Sequence, residues 1–362
     1  MVKDILVKNN IIKADKAIID IGNYSAKILE AHYTAKCVDI EDANIIKTGF
    51  KGEFDFEEFA KRVDAVLVGK VRKDIIVSLP SSMAESKIIS IKNKTDKDTK
   101  SLVEKQCQSF GKASNITHVI NSTFLGKREE QGDSVSYFLI SAVSKAVINE
   151  LIESFEDQGM KITRIVCSQY NQVCLSKLYN SEYDSLNRIV FDMGHKESRI
   201  TVFAEGVAVY TRVINYGFND YVEKIFKVHT DAGKRDIQKA LINIGGDNKL
   251  LERDGIAFLE NINKNLYLKC ISDVDDEIFN EISRILDMCN NNDIDISKIF
   301  CTGSHIIGFT EKLEEASGIP CENVYFTYED EISGENFVVI IDTENIEPIF
   351  SGTVGLAACP MF

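Results

Sequence analysis

Apolar and polar positions alternate along residues 17–50 well enough for two or three strands. The period then changes. In FDFEEFAKRVDAVL, Phe56, Phe59, Val63 and Val66 fall on one helical face, and Asp55 with Glu58 three residues on resembles a capping box. DIIVSLP (74–80) is a continuous apolar run, a buried strand ended by Pro80. Residues 81–134 are more polar, with the run KNKTDKDTK and one short helix, SLVEKQCQSF; they read as a small inserted subdomain. SVSYFLISAV (134–143) returns to a central strand. SKAVINELIESFEDQGM is an amphipathic helix capped by Ser144, striped by Val147, Ile148, Leu151, Ile152 and Phe155, and stopped by Gly159. A strand followed by a helix predicts a crossover in a layered α/β domain.

The second half starts the pattern again. RIVFD leads into a hairpin whose tight turn is predicted at Glu205–Gly206. A helical stretch at 219–242 follows, then the helix DEIFNEISRILDMC with Ile278, Phe279, Ile282, Ile285 and Leu286 on one face, the strand SKIFCTG and the helix IIGFTEKLEEASG. The two halves share one detail. The first reads Ile19-Asp20-Ile21-Gly22, then Asn23-Tyr24, then Ser25-Ala26-Lys27-Ile28. The second, 172 residues further on, reads Phe191-Asp192-Met193-Gly194, then His195-Lys196-Glu197, then Ser198-Arg199-Ile200. Apolar, Asp, apolar, Gly, polar turn, Ser, basic, apolar recur in that order, which predicts a duplicated β-hairpin.

Bulk properties narrow the class. At roughly 150 residues per domain, 362 residues suggest two. A net charge of −14 disfavours nucleic acid as a partner. No apolar run approaches membrane-spanning length, and MVKDILVKNNIIKADK interleaves Lys and Asp too closely for a secretory signal. The nine cysteines are scattered without a C-x-x-C pair and read as reduced, mostly buried thiols of a cytoplasmic protein. The five histidines are too dispersed for a metal site. Asp273, Asp275, Asp276 and Glu277 lack the glycine and final Glu of a calcium loop and are expected as acids at a helix N-terminus, favoured there by the macrodipole. No nucleophile elbow or Ser/His/Asp order is present.

One Asp-x-Gly after a strand is usually only a turn, but Asp is disfavoured in strands and two copies ask for a reason. Gly22 and Gly194 let the backbone turn tightly and present N–H groups to an incoming oxygen, and Ser25 and Ser198 add hydroxyl donors. Two such hairpins are suited to gripping a polyphosphate, with Asp20 and Asp192 holding a hydrated Mg²⁺. His195 lies in the second turn, as a donor to phosphate or simply as a solvated side chain. A third element, KIFCTGSHIIGFTEKLEEASGIP (298–320), has Gly303 and Ser304 in a strand-to-helix turn where backbone can approach a nucleoside or phosphate.

These three segments, in this order, resemble the first phosphate loop, second phosphate loop and adenosine loop of the actin-like ATPase superfamily. Within it the chain resembles the PilM-type proteins of type IV pilus assembly. VSLPSS (77–82), YFLISAVSKAVINELIESFEDQGMKITRI, VAVYTRVINYG, GFTEKLEEASGIPCE and the terminal SGTVGLAA carry that likeness, which covers nearly the whole chain. The resemblance implies an α/β protein of two ribonuclease-H-like domains around a nucleotide cleft. The first would span 14–180, with 346–362 returning to it and 80–134 inserted; the second would span 181–345.

The nucleotide-binding residues it implies are Gly22, Asn23, Tyr24, Ser25 and Lys27 in the first loop, and Gly194, His195, Lys196 and Ser198 in the second, with Gly217. Thr302, Gly303 and Ser304 belong to the adenosine loop, and Arg235, Gln238 and Lys239 stand where relatives place an acidic and a basic residue against ribose and base. Asp20, Asp192 and Gln169 take the catalytic positions, Asp20 and Asp192 also those of the metal. ATP or ADP with Mg²⁺ is the implied cofactor. Asn23 and Tyr24, HKES, and Thr302 in place of the first glycine of a pair depart from the family's small, hydroxyl-rich turns, and imply weak or absent ATPase activity.

The implied partners are the N-terminal tail of a PilN-like inner-membrane protein, other pilus platform proteins and motor ATPases, with a homo-oligomer left open. The implied role is a cytoplasmic scaffold held at the inner face of the membrane through its partner, without inserting itself. An FtsA-like or plasmid-segregating filament-forming ATPase is the alternative; the ending GLAACPMF lacks the amphipathic helix that self-anchoring requires. A small-molecule kinase of the same fold is a third reading, for which the sequence offers no dedicated carboxylate base.

Overall fold

A computed structural model describes residues 14–48, 54–67, 74–92, 96–111, 117–178, 186–230, 233–241, 264–304, 306, 308–333 and 337–361. The first half gives β1 (Ala14–Ile21), β2 (Ser25–Tyr33), β3 (Cys37–Lys47), α1 (Phe56–Val66), β4 (Asp74–Leu79), β5 (Ala84–Lys92), α2 (Asp96–Gly111), β6 (His118–Glu130), β7 (Asp133–Ser144), α3 (Lys145–Asp157), β8 (Lys161–Cys167) and α4 (Ser168–Leu178). The second half gives β9 (Arg188–Met193), β10 (Ser198–Ala204), β11 (Val207–Ile214), α5 (Phe218–Val228), α6 (Lys234–Leu241), α7 (Lys264–Asn291), β12 (Lys298–Gly303), α8 (Phe309–Ser317), β13 (Cys321–Asn323), β14 (Glu331–Ser333), β15 (Val338–Ile341) and α9 (Ser351–Ala358).

Three sheets form. Their orders are β14-β15-β3-β2-β1-β4-β8, β11-β10-β9-β12-β13 and β5-β7-β6. Within the first, β3-β2-β1-β4-β8 repeats the order of the second strand for strand, so the duplicated hairpin belongs to a duplicated sheet. The compact units follow this division. One takes in the described residues up to Leu178 with 203–211 and those from Phe326 onward; the other takes in the described residues of 186–202 and 212–325.

Several expectations are met locally. The Asp55 carboxylate accepts from the Glu58 N–H at 2.9 Å, and Phe56, Phe59 and Val63 are buried beneath α1. Glu205 and Gly206 both have positive φ, 50° and 76°, the backbone a two-residue hairpin turn requires. Gly159 stops α3 at φ 71°. All nine cysteines are free thiols, six of them buried.

Other expectations change. SVSYFLISAV is a central strand, but of the three-stranded sheet, so the inserted subdomain continues through Ser144 instead of closing at 134. Strands β14 and β15 extend the first sheet, with β15 parallel to β3, and the second unit therefore ends near 325 instead of 345. An apolar run records that a strand is buried, not which neighbour buries it. Ser144 stands at the N-cap of α3 without a capping bond from its side chain. Asp273, Asp275, Asp276 and Glu277 lie well inside α7 and cannot be N-terminal acids.

In the first unit, the core beneath the sheet is closed by α4 and α9. Helix α9, SGTVGLAA, is apolar around its circumference and is buried almost throughout, as a helix without a polar face must be. Its Ala357 carbonyl accepts from Tyr33 Oη at 2.6 Å. Gly355 packs directly on the backbone of α4: a Cβ there would stand 2.5 Å from Leu175 N and 2.6 Å from Leu175 Cα. Among the described residues no helix is long and apolar enough to cross a membrane.

Candidate functional site: two Asp-x-Gly hairpins

The first hairpin begins on β1, which pairs antiparallel with β2 on one side and parallel with β4 on the other. That register sets Asp20 opposite Lys27 and beside Ser78. Asp20 is buried, and both its oxygens are engaged. Lys27 Nζ donates to Oδ2 at 3.3 Å; Asn171 Nδ2 donates to Oδ1 at 3.0 Å and to Ser78 Oγ at 3.0 Å. Gly22 N–H closes the turn on the Ser25 carbonyl at 3.0 Å, and a Cβ on Gly22 would meet that oxygen at 2.7 Å. The turn is tied down from outside. Thr48 donates from Oγ1 to the Gly22 carbonyl and from its N–H to the Tyr24 carbonyl, both at 2.9 Å. Ser82 Oγ donates to Asn23 Oδ1 at 2.9 Å.

The second hairpin repeats the scheme with different residues. Asp192 sits near the end of β9, beside Thr302 in the parallel register with β12. Thr302 Oγ1 donates to Asp192 Oδ1 at 3.2 Å and Arg199 Nη1 to Oδ2 at 3.1 Å. In both copies the aspartate is therefore paired with a cation seven residues on and bonded through its other oxygen to a neutral donor. The Gly194 turn is fastened to the start of α5: Phe218 and Asn219 N–H groups donate to the Gly194 and His195 carbonyls at 2.9 and 2.7 Å. Gly217 makes this possible, since a Cβ there would lie 2.7 Å from Gly194 O, 2.8 Å from His195 O and 2.9 Å from Glu197 N. The first free N–H groups of α5 thus serve the loop and are not left for an anion.

His195 is half-buried, with its ring near Phe218. Burial, aided by the adjacent Lys196 charge, lowers its pKa to about 4. It is neutral at physiological pH, able to donate one N–H but not to act as a cation. Its folded pKa lies below the unfolded value, so its contribution to stability is full above about pH 6.5 and is lost as pH falls toward 4. A ¹³C-resolved NMR titration is expected to show the His195 ring unprotonated until below pH 5; a midpoint near 6.5 would mean the ring is solvated.

The remaining expected residues are dispersed more widely. Lys196 is exposed. Ser198 is buried, and its Oγ has no partner; nor does the buried Nε of Arg199. Gln169 is buried with its amide oxygen unpartnered, and the α4 side chain bonded to Asp20 is Asn171. Asn171 was missed because only a register between α4, β1 and β4 gives it a role. Gln238 is half-buried on α6; Arg235 and Lys239 belong to the same helix, with side chains outside the described residues.

Thr302 is buried on Asp192 and does not stand open as the first residue of a nucleoside loop. Gly303 needs to be glycine twice over: φ is 83°, and a Cβ would meet Met193 O at 2.5 Å and Asp192 Oδ1 at 2.6 Å. Ser304 N–H donates to the Met193 carbonyl at 2.8 Å. Beside this turn is a small cleft lined by Phe191, Met193, Thr302, Ser304, Ile306 and Phe309, with room for little more than one water molecule.

The donors in the hairpins suit phosphate, and each aspartate carries a cation partner, Lys27 at Asp20 and Arg199 at Asp192. No cluster of three or more His, Cys, Asp or Glu side chains able to hold a metal occurs among the described residues, and Asp20 and Asp192 are each already neutralised.

No protein-family model matches the sequence, and no curated protein does. Solved structures do. The chain is similar to the PilM-PilN type IV pilus biogenesis complex at 14% identity, with a TM-score of 0.72 over 96% of this chain and 98% of the other. It is also similar to MreB 5 of Spiroplasma citri bound to AMPPNP (9% identity, TM-score 0.47, 95% of each chain) and to the ethanolamine utilization protein EutJ from Carboxydothermus hydrogenoformans (10%, 0.46, 95% and 89%). The first of these likenesses, with the twice-repeated sheet order, shows the fold: this chain has the actin-like architecture.

Proposed function

We propose that the chain is a nucleotide-binding scaffold of a type IV pilus inner-membrane assembly complex, and that it takes the cytoplasmic N-terminal tail of a PilN-like membrane protein. The observation that carries this reading is the likeness to the PilM-PilN complex, which extends over nearly the full length of both chains. The protein would work at the inner face of the membrane through that partner, alongside other platform proteins and motor ATPases.

ATP or ADP would act as a structural or switching ligand, with Ser25 and Lys27 of the first hairpin donating to its phosphates. Hydrolysis would be weak or absent: α4 offers amides, Gln169 and Asn171, and no carboxylate base. Isothermal titration with a peptide of a PilN-like N-terminal tail, with and without ATP, tests the scaffold. Saturable tail binding is expected. No heat of binding in either condition would sink it.

A further inference from the structure

The first unit holds a cluster of titratable side chains that belongs to neither hairpin. Arg164 on β8, Tyr170 and Cys174 on α4, and Cys359 in the turn after α9 meet at the edge of the first sheet, where β8 is the last strand. Arg164 Nη1 donates to Cys359 Sγ at 2.8 Å, and the Cys174 and Tyr170 side chains hydrogen-bond to the same sulfur. Tyr170 and Cys174 are four residues apart on α4 and so share one of its faces. The seam between α4 and α9 brings the two thiols together. Gly355, four residues before Cys359, lies against the backbone of Leu175, the neighbour of Cys174. Both thiols are buried, while Arg164 beside them is exposed.

The two sulfurs are unequal. The hydrogen bond from Cys174, with the Arg164 charge and the Tyr170 hydroxyl, holds the Cys359 thiol below its ordinary pKa against the effect of burial. Burial and the bond to Cys359 hold Cys174 well above it. The thiolate is the reactive form of cysteine, and a neighbouring guanidinium favours it. Cys301 and Cys321 also lie near each other, in the second unit, but burial raises both, and acidic neighbours, Glu311 and Glu314, add to the rise.

We propose that Cys359 and Cys174 are a reversible redox pair, which hydrogen peroxide closes to a disulfide between α4 and the turn after α9. The Cys359 thiolate attacks one peroxide oxygen; the O–O bond breaks, and the hydroxide that leaves takes a solvent proton to become water. The Cys174 sulfur then attacks the sulfenic acid formed at Cys359. The S–O bond breaks, the S–S bond forms, and the Cys174 proton leaves with the hydroxyl as a second water. Both sulfurs are oxidised and the peroxide is reduced. The link would fix the helix whose Asn171, three residues before Cys174, holds Asp20. It requires neither nucleotide nor a partner tail. The test treats the reduced whole chain with hydrogen peroxide, denatures it, alkylates the remaining thiols and maps the peptides by mass spectrometry. Two of the nine thiols are expected to escape alkylation and to appear as one Cys174–Cys359 cross-linked peptide, which dithiothreitol reverses, with Cys301 and Cys321 alkylated. In Arg164→Met, closure is expected to slow about tenfold or more, and in Arg164→Lys by less. In Cys174→Ser, dimedone is expected to label Cys359. Nine alkylated thiols after peroxide, a disulfide between another pair in its place, or oxidation of Cys359 past sulfenic acid with Cys174 still free would overturn the proposal. All three are read on the wild-type chain, so none depends on a variant folding.

Discussion

Gly355→Ala is expected to destabilise the first unit by about 3 kcal/mol, read as a lowered urea midpoint followed by circular dichroism. Helix propensity predicts the reverse, since alanine in a helix interior is favoured over glycine by about 1 kcal/mol. Packing decides the sign. The new methyl carbon would stand 2.5 Å from Leu175 N, 2.6 Å from Leu175 Cα and 2.8 Å from Leu175 Cβ, so α4 and α9 would have to separate along a seam buried in the core. Gly352, three residues earlier in α9, is the control. A Cβ there meets only Asn171 Cβ at 3.7 Å, an ordinary contact, and Gly352→Ala is expected within about 0.5 kcal/mol of wild type. Equal effects at the two positions would refute the close helix approach.

Lys312→Met is expected to cost about 3 kcal/mol at pH 7.5 and progressively less as pH falls. Asp275, inside α7, is buried with only 2% of its side chain exposed; it accepts from Lys312 Nζ at 2.7 Å and from Tyr221 Oη at 2.8 Å. Burial raises its pKa above the usual carboxylate range, while the bonds from Lys312 and Tyr221 pull it back. A carboxyl whose folded pKa exceeds the unfolded value contributes most at low pH and loses that contribution as pH rises through the folded pKa. Without Lys312 the folded pKa climbs further. The variant's deficit is therefore largest where Asp275 must be charged in both states, and shrinks once it is protonated. Urea unfolding at pH 7.5 and pH 5 checks this, and a deficit independent of pH would show that the lost packing of the lysine stem, not its charge, was responsible.

The hairpins were legible because their cause is local. Asp20-Ile21-Gly22 and Asp192-Met193-Gly194 each contain the turn, the strand end and the residue that starts the next strand within a dozen positions. Backbone sterics at a tight turn select glycine whatever the rest of the chain does. The cap at Asp55, the Glu205–Gly206 turn and the stop at Gly159 were legible for the same reason. The partners of the two aspartates were not. Lys27 and Arg199 stood in the repeated pattern, but Asn171 and Thr302 reach Asp20 and Asp192 across 151 and 110 residues of chain. No period or spacing encodes such a bond.

The acidic run at 273–277 shows how a local rule misleads. Read alone, it suits a helix N-terminus, where the macrodipole favours carboxylates. In the structure α7 already runs from Lys264 through this stretch, and Asp275 is turned inward to Lys312 and Tyr221. Likewise, SGTVGLAA announces burial by composition, yet gives no sign that Gly355 and not Gly352 touches another backbone.

The sequence by itself determined the two-part α/β plan, the repeated hairpins and the residues that make their turns, because hydrophobic period and turn sterics act over a few neighbouring residues. Only the tertiary structure decided which sheet each strand joined, that β14 and β15 return to the first, and that both aspartates are already bonded to built-in cations. Those outcomes depend on which surfaces meet, and contacts between distant segments are set by burial and register after the local elements exist.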